Sequence, residues 1–170
     1  MVAGEHQTDP PKESIYSSVV SRDSIRIAFM LAALNDLDVL SADVQGAYLN
    51  APTKEKVYTI AGLEFGADKV GRPVLIVRAL GSKSSGARWR DHMASTLQEG
   101  GFVSCKGDPD VWMRPKVKLS GGKYWEYYYV LCYVVDILCI SHESQVVMDY
   151  LASKYTLKKG NVKEPDILGC

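Results

Sequence analysis

The chain has 170 residues, 46% of them hydrophobic and 24% charged, with basic and acidic residues in equal number. That is enough chain for one globular domain with a real core, and the composition is that of an ordinary soluble protein. A net charge of zero excludes attraction to nucleic acid by the molecule as a whole, so any such binding has to come from local patches.

Four cysteines, Cys105, Cys132, Cys139 and Cys170, form no CxxC pair, and His6, His92 and His142 complete no zinc pattern. Cys132 and Cys139 fall in an apolar run and read as reduced core residues, which points to an intracellular chain, in cytoplasm or nucleus. The start, from Met1 to His6, has no apolar segment of the secretory kind. The longest apolar run is too short to span a bilayer, so no membrane partner is expected.

Residues 1–20 are polar, carry Pro10 and Pro11, and read as an extended arm whose Tyr16, Val19 and Val20 dock on a core. Residues 21–35 predict the first helix. Ser21 caps it, and Asp23 and Ser24 fill its first turn. Ile25, Phe29 and Ala32 form one stripe, with Ala28 and Leu31 beside them. A strand follows over 37–44 and closes on Asp43, and a short helix over 45–50 is broken by Pro52. Residues 57–60 and 73–80 read as strands around a glycine-rich loop. The second ends near Arg78.

Residues 84–98 predict a second helix, with Trp89, Met93 and Leu97 on a narrow apolar seam and Gly100 and Gly101 as its stop. Trp89 reads as core. A short strand over 111–114, a hairpin loop over 116–123 and a long aromatic, β-branched strand over 124–134 come next. Asp136 marks a bend, and 137–140 runs back as a strand. A third helix over 141–155 carries Leu151 and Tyr155 on its stripe. Lys154, Lys158, Lys159 and Lys163 form a basic tail that reads as a solvated face. A trailing strand ends the order, without internal repeat or linker. Helices alternating with mainly antiparallel strands predict an α+β fold with helices on one face of the sheet.

Asp136 stands inside the apolar run from Tyr129 to Ser141. An ionised carboxylate there is costly unless something pairs with it. A turn that lifts it to the surface, a basic partner and a metal ion are the three solutions. Asp43 likewise ends an apolar strand. If the two strands are neighbours, both carboxylates emerge at one sheet edge, an oxygen-rich corner of the kind that suits Mg²⁺.

Four blocks carry a resemblance. Residues 37–50 (LDVLSADVQGAYLN) are similar to the "DV…AFLNG" block of the reverse transcriptase of copia-type LTR retrotransposon Pol polyproteins. Arg78 to Leu80, then 83–89 (KSSGARW), resemble that family's "LYGLKQSPRAW". Gly101 and Phe102, then 108–112, match its "GF…D" spacing, and 133–138 (YVVDIL) lie where it has "YVDDIL". The resemblance runs along nearly the whole chain. It implies one domain over 1–170: a polymerase palm, that is a ferredoxin-like antiparallel sheet with helices on one face, plus partial fingers.

The resemblance also implies an RNA-directed DNA polymerase that takes RNA or DNA template-primer and deoxynucleotides. Two Mg²⁺ ions would activate the attacking hydroxyl and stabilise the leaving phosphate. Asp43 and Asp136 become catalytic metal ligands, joined by the carbonyl of Val44. Tyr48 becomes the ring under the incoming sugar, with a core aromatic as its alternative. Lys83 and Arg88 become phosphate contacts, with a solvated surface role as theirs.

The departures carry their own expectation. Val135 stands where the family has the first of its paired aspartates, and a valine offers no lone pair to a metal. Loss of such a ligand costs several kcal/mol of transition-state stabilisation, about a thousand-fold in rate. The Tyr-Gly-Leu before Lys83 is reduced to Gly81 and Ser82, and the thumb and RNase H are expected to be absent. The sequence therefore predicts a truncated, degenerate polymerase domain that is inactive or nearly so. The alternatives are a non-enzymatic nucleic-acid-binding remnant, through Arg78, Lys83, Arg88, Arg90, Lys158 and Lys159, or the product of a decayed open reading frame.

Overall fold

The computed structural model describes residues 16–52, 57–76, 84–117 and 125–158. The fold is α+β. Helices α1 (Arg22–Leu34), α2 (Ala47–Asn50), α3 (Ser85–Glu99) and α4 (Ser144–Lys154) accompany strands β1 (Asp38–Asp43), β2 (Val57–Ile60), β3 (Pro73–Ile76), β4 (Val103–Ser104), β5 (Val111–Val117), β6 (Trp125–Tyr133) and β7 (Asp136–Ser141). The chain divides into two compact units. One comprises Met1–Tyr16 and Gly46–His92, the other Ser17–Gln45 and Met93–Cys170.

The second unit holds a five-stranded sheet in the order β1-β7-β6-β5-β4. Every pairing in it is antiparallel. Beyond β1 the chain returns once more: Val44 bridges Leu157 antiparallel, so the trailing strand lies on the far side of β1.

Hydrophobic period and capping explain α1. The Ser21 side chain accepts from the Ser24 N–H at 3.1 Å, as a cap should. Ile25, Ala28 and Ala32 turn inward and form one cluster with Leu131, Leu138 and Ile140, while Val20 joins from the arm. Each fully buried leucine or isoleucine of that cluster contributes about 1.5–3 kcal/mol. The arm docks by Val20, whose N–H donates to the Cys132 carbonyl at 3.0 Å; Tyr16 stays exposed.

Helices cover both faces of this sheet, which corrects the expectation of one. Side chains alternate along β7, so Leu138 and Ile140 face α1 while Ile137 and Cys139 face the other way. All four are buried. On that second side α4 packs against β1 and β7. The Ser144 hydroxyl donates to the Asp38 carbonyl at 2.8 Å and fixes the start of α4 to β1. The last turns of α3 join α4 through the Thr96 and Tyr155 hydroxyls, 2.5 Å apart, and through the Tyr150 hydroxyl on the Thr96 carbonyl.

Several boundaries differ from expectation. Ser141 belongs to β7, paired with Asp38, so α4 begins three residues later than its sequence suggested. Strand β5 runs on through Lys116 and Val117, which pair with Glu126 and Trp125. There Lys116 forms an ion pair with Glu143 at 2.8 Å, and the Arg114 guanidinium lies over the Phe102 and Tyr128 rings. Strand β4 is short and carried no sequence signal. The first unit holds the two-stranded sheet of β2 and β3. The expected strand over 73–80 is described only to Ile76, and Arg78 lies outside the described residues. Among the described residues no helix is long and apolar enough to cross a membrane.

Candidate functional site: an opposed carboxylate pair

The β6–β7 hairpin and the end of β1 make the corner that carries the site. Tyr133 pairs with Asp136, which leaves Val134 and Val135 as the two-residue turn. The bend expected at Asp136 is therefore corrected: it lies at Val134 and Val135, and Asp136 opens β7. Val134 has φ 53, in the left-handed region that a β-branched side chain disfavours by about 1–2 kcal/mol.

Asp136 has a second partner on its other side. It lies directly opposite Asp43 in the β1–β7 register. The next position along, Val44, donates its N–H to the Val135 carbonyl at 3.1 Å. Because 44 and 135 exchange a hydrogen bond, 43 and 136 form the non-hydrogen-bonded kind of pair, in which side chains stand closest. The two carboxylates thus share one face at one rim of the sheet. Like charges so placed oppose folding.

Lys158 answers that opposition. Its ammonium lies 2.5 Å from Asp43 Oδ2. Its backbone N–H donates to the Asp43 carbonyl at 2.9 Å, and Gln45 N–H donates to the Thr156 carbonyl at 2.9 Å. Both ends of the lysine are therefore tied to the same aspartate. The Asp43 hydrogen bond raises the Lys158 ammonium above its usual value. Asp136 is left the less favoured anion: burial first, then the charge of Asp43, raise its carboxyl above the ordinary range, against the pull of Lys158.

The structure brings Asp43, Val44 and Asp136 together in the second unit. Val44 is buried, 2% exposed, where the strand continues past Asp43. Tyr48 and Arg88 belong to the first unit. Tyr48 is half-buried on the four-residue helix α2, which starts after Gly46 at φ 60. Arg88 is 6% exposed, and its Nε donates to the Ser84 carbonyl at 3.3 Å. That corrects the solvated reading: its side chain turns back along its own helix. Lys83 lies outside the described residues. Sequence reasoning missed Lys158, grouping it with a solvated tail. The available signal was Tyr155 and Leu157 alternating with polar residues after α4, a strand pattern that sets the next residue beside β1.

The donors do not fit a two-ion Mg²⁺ centre. One carboxylate is engaged by an ammonium, and the adjoining turn offers two valines. Among the described residues no group of three or more His, Cys, Asp or Glu side chains is placed to hold a metal ion. In comparisons with known proteins, no family model, no curated protein and no solved structure matches the chain.

Proposed function

We propose that the chain is a polymerase palm with part of the fingers, of the reverse transcriptase kind in copia-type LTR retrotransposons, that has lost its nucleotidyl transfer activity. The observation that carries this reading is the direct opposition of Asp43 and Asp136 at a sheet rim. Two aspartates far apart in the chain meet directly opposite one another, where each costs the other stability, which apolar packing alone does not call for.

Topology supports the same reading. With α1, β4 and β5 set aside, β1, residues 93–99 of α3, β6, β7, α4 and the bridge at Leu157 follow one another in the second unit as βαββαβ, with the bridge beside β1, then β7, then β6. That is the ferredoxin-like order on which a palm is built. Fold alone carries no activity, so the weight rests on the corner and on the four ordered sequence blocks.

Loss of activity follows from the same corner. Val135 cannot bind a metal, and Lys158 competes for Asp43. The binding remnant is the weaker reading, because Arg88 is enclosed and Lys158 is engaged. Primer extension with Mg²⁺ or Mn²⁺ tests the proposal. The unaltered chain should add no nucleotide, while Val135→Asp combined with Lys158→Met should restore single-nucleotide addition. Robust synthesis by the unaltered chain contradicts the loss. Silence from the folded double variant counts against the polymerase reading itself.

A further inference from the structure

We propose that Lys158 is the resident cation of the Asp43–Asp136 corner, seated on the Asp43 carboxylate that a divalent ion would need as a ligand, so that the chain is closed to such ions until that side chain is removed. The lysine is built into the corner by the backbone. The Val44–Leu157 bridge sets its register, its N–H holds the Asp43 carbonyl, and its ammonium reaches back to the carboxylate of the same residue. The backbone pairing fixes where the side chain starts, and the 62% exposed side chain gives up only its own rotamer freedom in making the contact.

Charge and geometry explain why one ammonium excludes a metal. Two carboxylates in the close kind of cross-strand pair leave two negative charges on one face. Lys158 supplies one positive charge to Asp43 and also acts favourably on Asp136. A hard divalent ion needs the same carboxylate oxygens as direct ligands. To bind, it must expel the ammonium and leave the two cations close together, which Coulomb repulsion opposes. An ammonium has no open coordination position, so it quiets the pair without presenting water or a phosphate oxygen. The contact is autoinhibitory with respect to cation binding.

The inference concerns the same carboxylates as the proposed function but not its reaction. It is read by cation binding alone, so it can fail while the polymerase reading survives, and the reverse. The test is Mn²⁺ binding at low ionic strength, by isothermal titration and by Mn²⁺-dependent shift of the thermal midpoint. Lys158→Met should bind Mn²⁺ about tenfold or more tightly than the unaltered chain, and its midpoint should rise with Mn²⁺. Lys158→Arg should stay closed. Adding Asp136→Asn to Lys158→Met should remove the binding and so locate it. Equal affinity in the unaltered chain and Lys158→Met overturns the proposal. Should Lys158→Met fail to fold, the unaltered chain still decides: Mn²⁺ should leave the carboxyl carbon signals of Asp43 and Asp136 unbroadened, and selective broadening of that pair overturns it.

Discussion

Asp136 binds its proton more tightly in the fold than an ordinary aspartate does. Burial and the facing charge of Asp43 raise its carboxyl above the ordinary range, with Lys158 opposing. The folded chain therefore holds that proton more readily than the unfolded chain. The sign follows: this group weakens the fold at neutral pH, and stability recovers as pH falls through its raised folded value toward the ordinary one. Asp136→Asn should gain about 0.5 kcal/mol at pH 7, the scale of a like-charge cross-strand pair in partial solvent. Urea midpoints at neutral and acidic pH check it, and the gain should shrink on acidification. Val134 stores a second cost beside it, with a branched side chain at φ 53. Val134→Gly should relieve that strain against a smaller entropic loss, for a net gain of about 0.5 kcal/mol by the same measurement. Both predictions describe a corner held against local preference by the surrounding fold.

Elements are held by a few polar ties whose loss should be felt at a distance. The clearest is Asp108, in the loop between β4 and β5. It accepts from the Ser24 hydroxyl at 2.6 Å, the Ser21 N–H at 2.9 Å and the Asp110 N–H at 3.2 Å, and so ties the first turn of α1 to the sheet. Burial raises its carboxyl, but those donors together, Ser24 foremost, outweigh burial and leave it below the ordinary range. Here the sign is the opposite of Asp136. The stabilisation is complete above the unfolded value and is lost as pH falls through the lower, folded one. Asp108→Ala should cost about 1.5 kcal/mol at pH 7, from lost hydrogen bonds to a charged acceptor. The difference from the unaltered chain should narrow in acid, read as urea midpoints between neutral pH and pH of about 3.

At the scale of the whole molecule, apolar period foretold more than polar residues did. The stripe on α1 was legible because Ile25 and Ala32 recur at helical spacing, and both are buried. The aromatic, β-branched β6 and the apolar β7 were legible as strands running there and back from their composition. What the sequence misplaced was governed by pairing partners it does not display. Asp136 looked like the bend because it is the polar residue, but the two-residue turn is set by which residues pair across it. Ser141 read as the first residue of the third helix, yet it lies opposite Asp38 in the ladder. Lys158 looked like solvent because it stands in a run of lysines; its partner Asp43 is far away in the chain. The meeting of Asp43 and Asp136 was legible only as a condition on two strands being neighbours, which the β1–β7 register meets. The central cluster should carry the stability of the second unit. Leu138→Ala, at a 3% exposed position, should cost about 2–5 kcal/mol in a denaturant melt.

The account stands on two aspartates sensing one another across β1 and β7. Carbon-detected titration of the Asp136 carboxyl, in the unaltered chain and in Asp43→Asn, tests this most directly. The prediction is a midpoint above that of an ordinary aspartate in the unaltered chain, and a lower one once Asp43 is neutral and Lys158 is left to Asp136. An Asp136 that titrates as an ordinary exposed aspartate, with the same midpoint in both proteins, would contradict it.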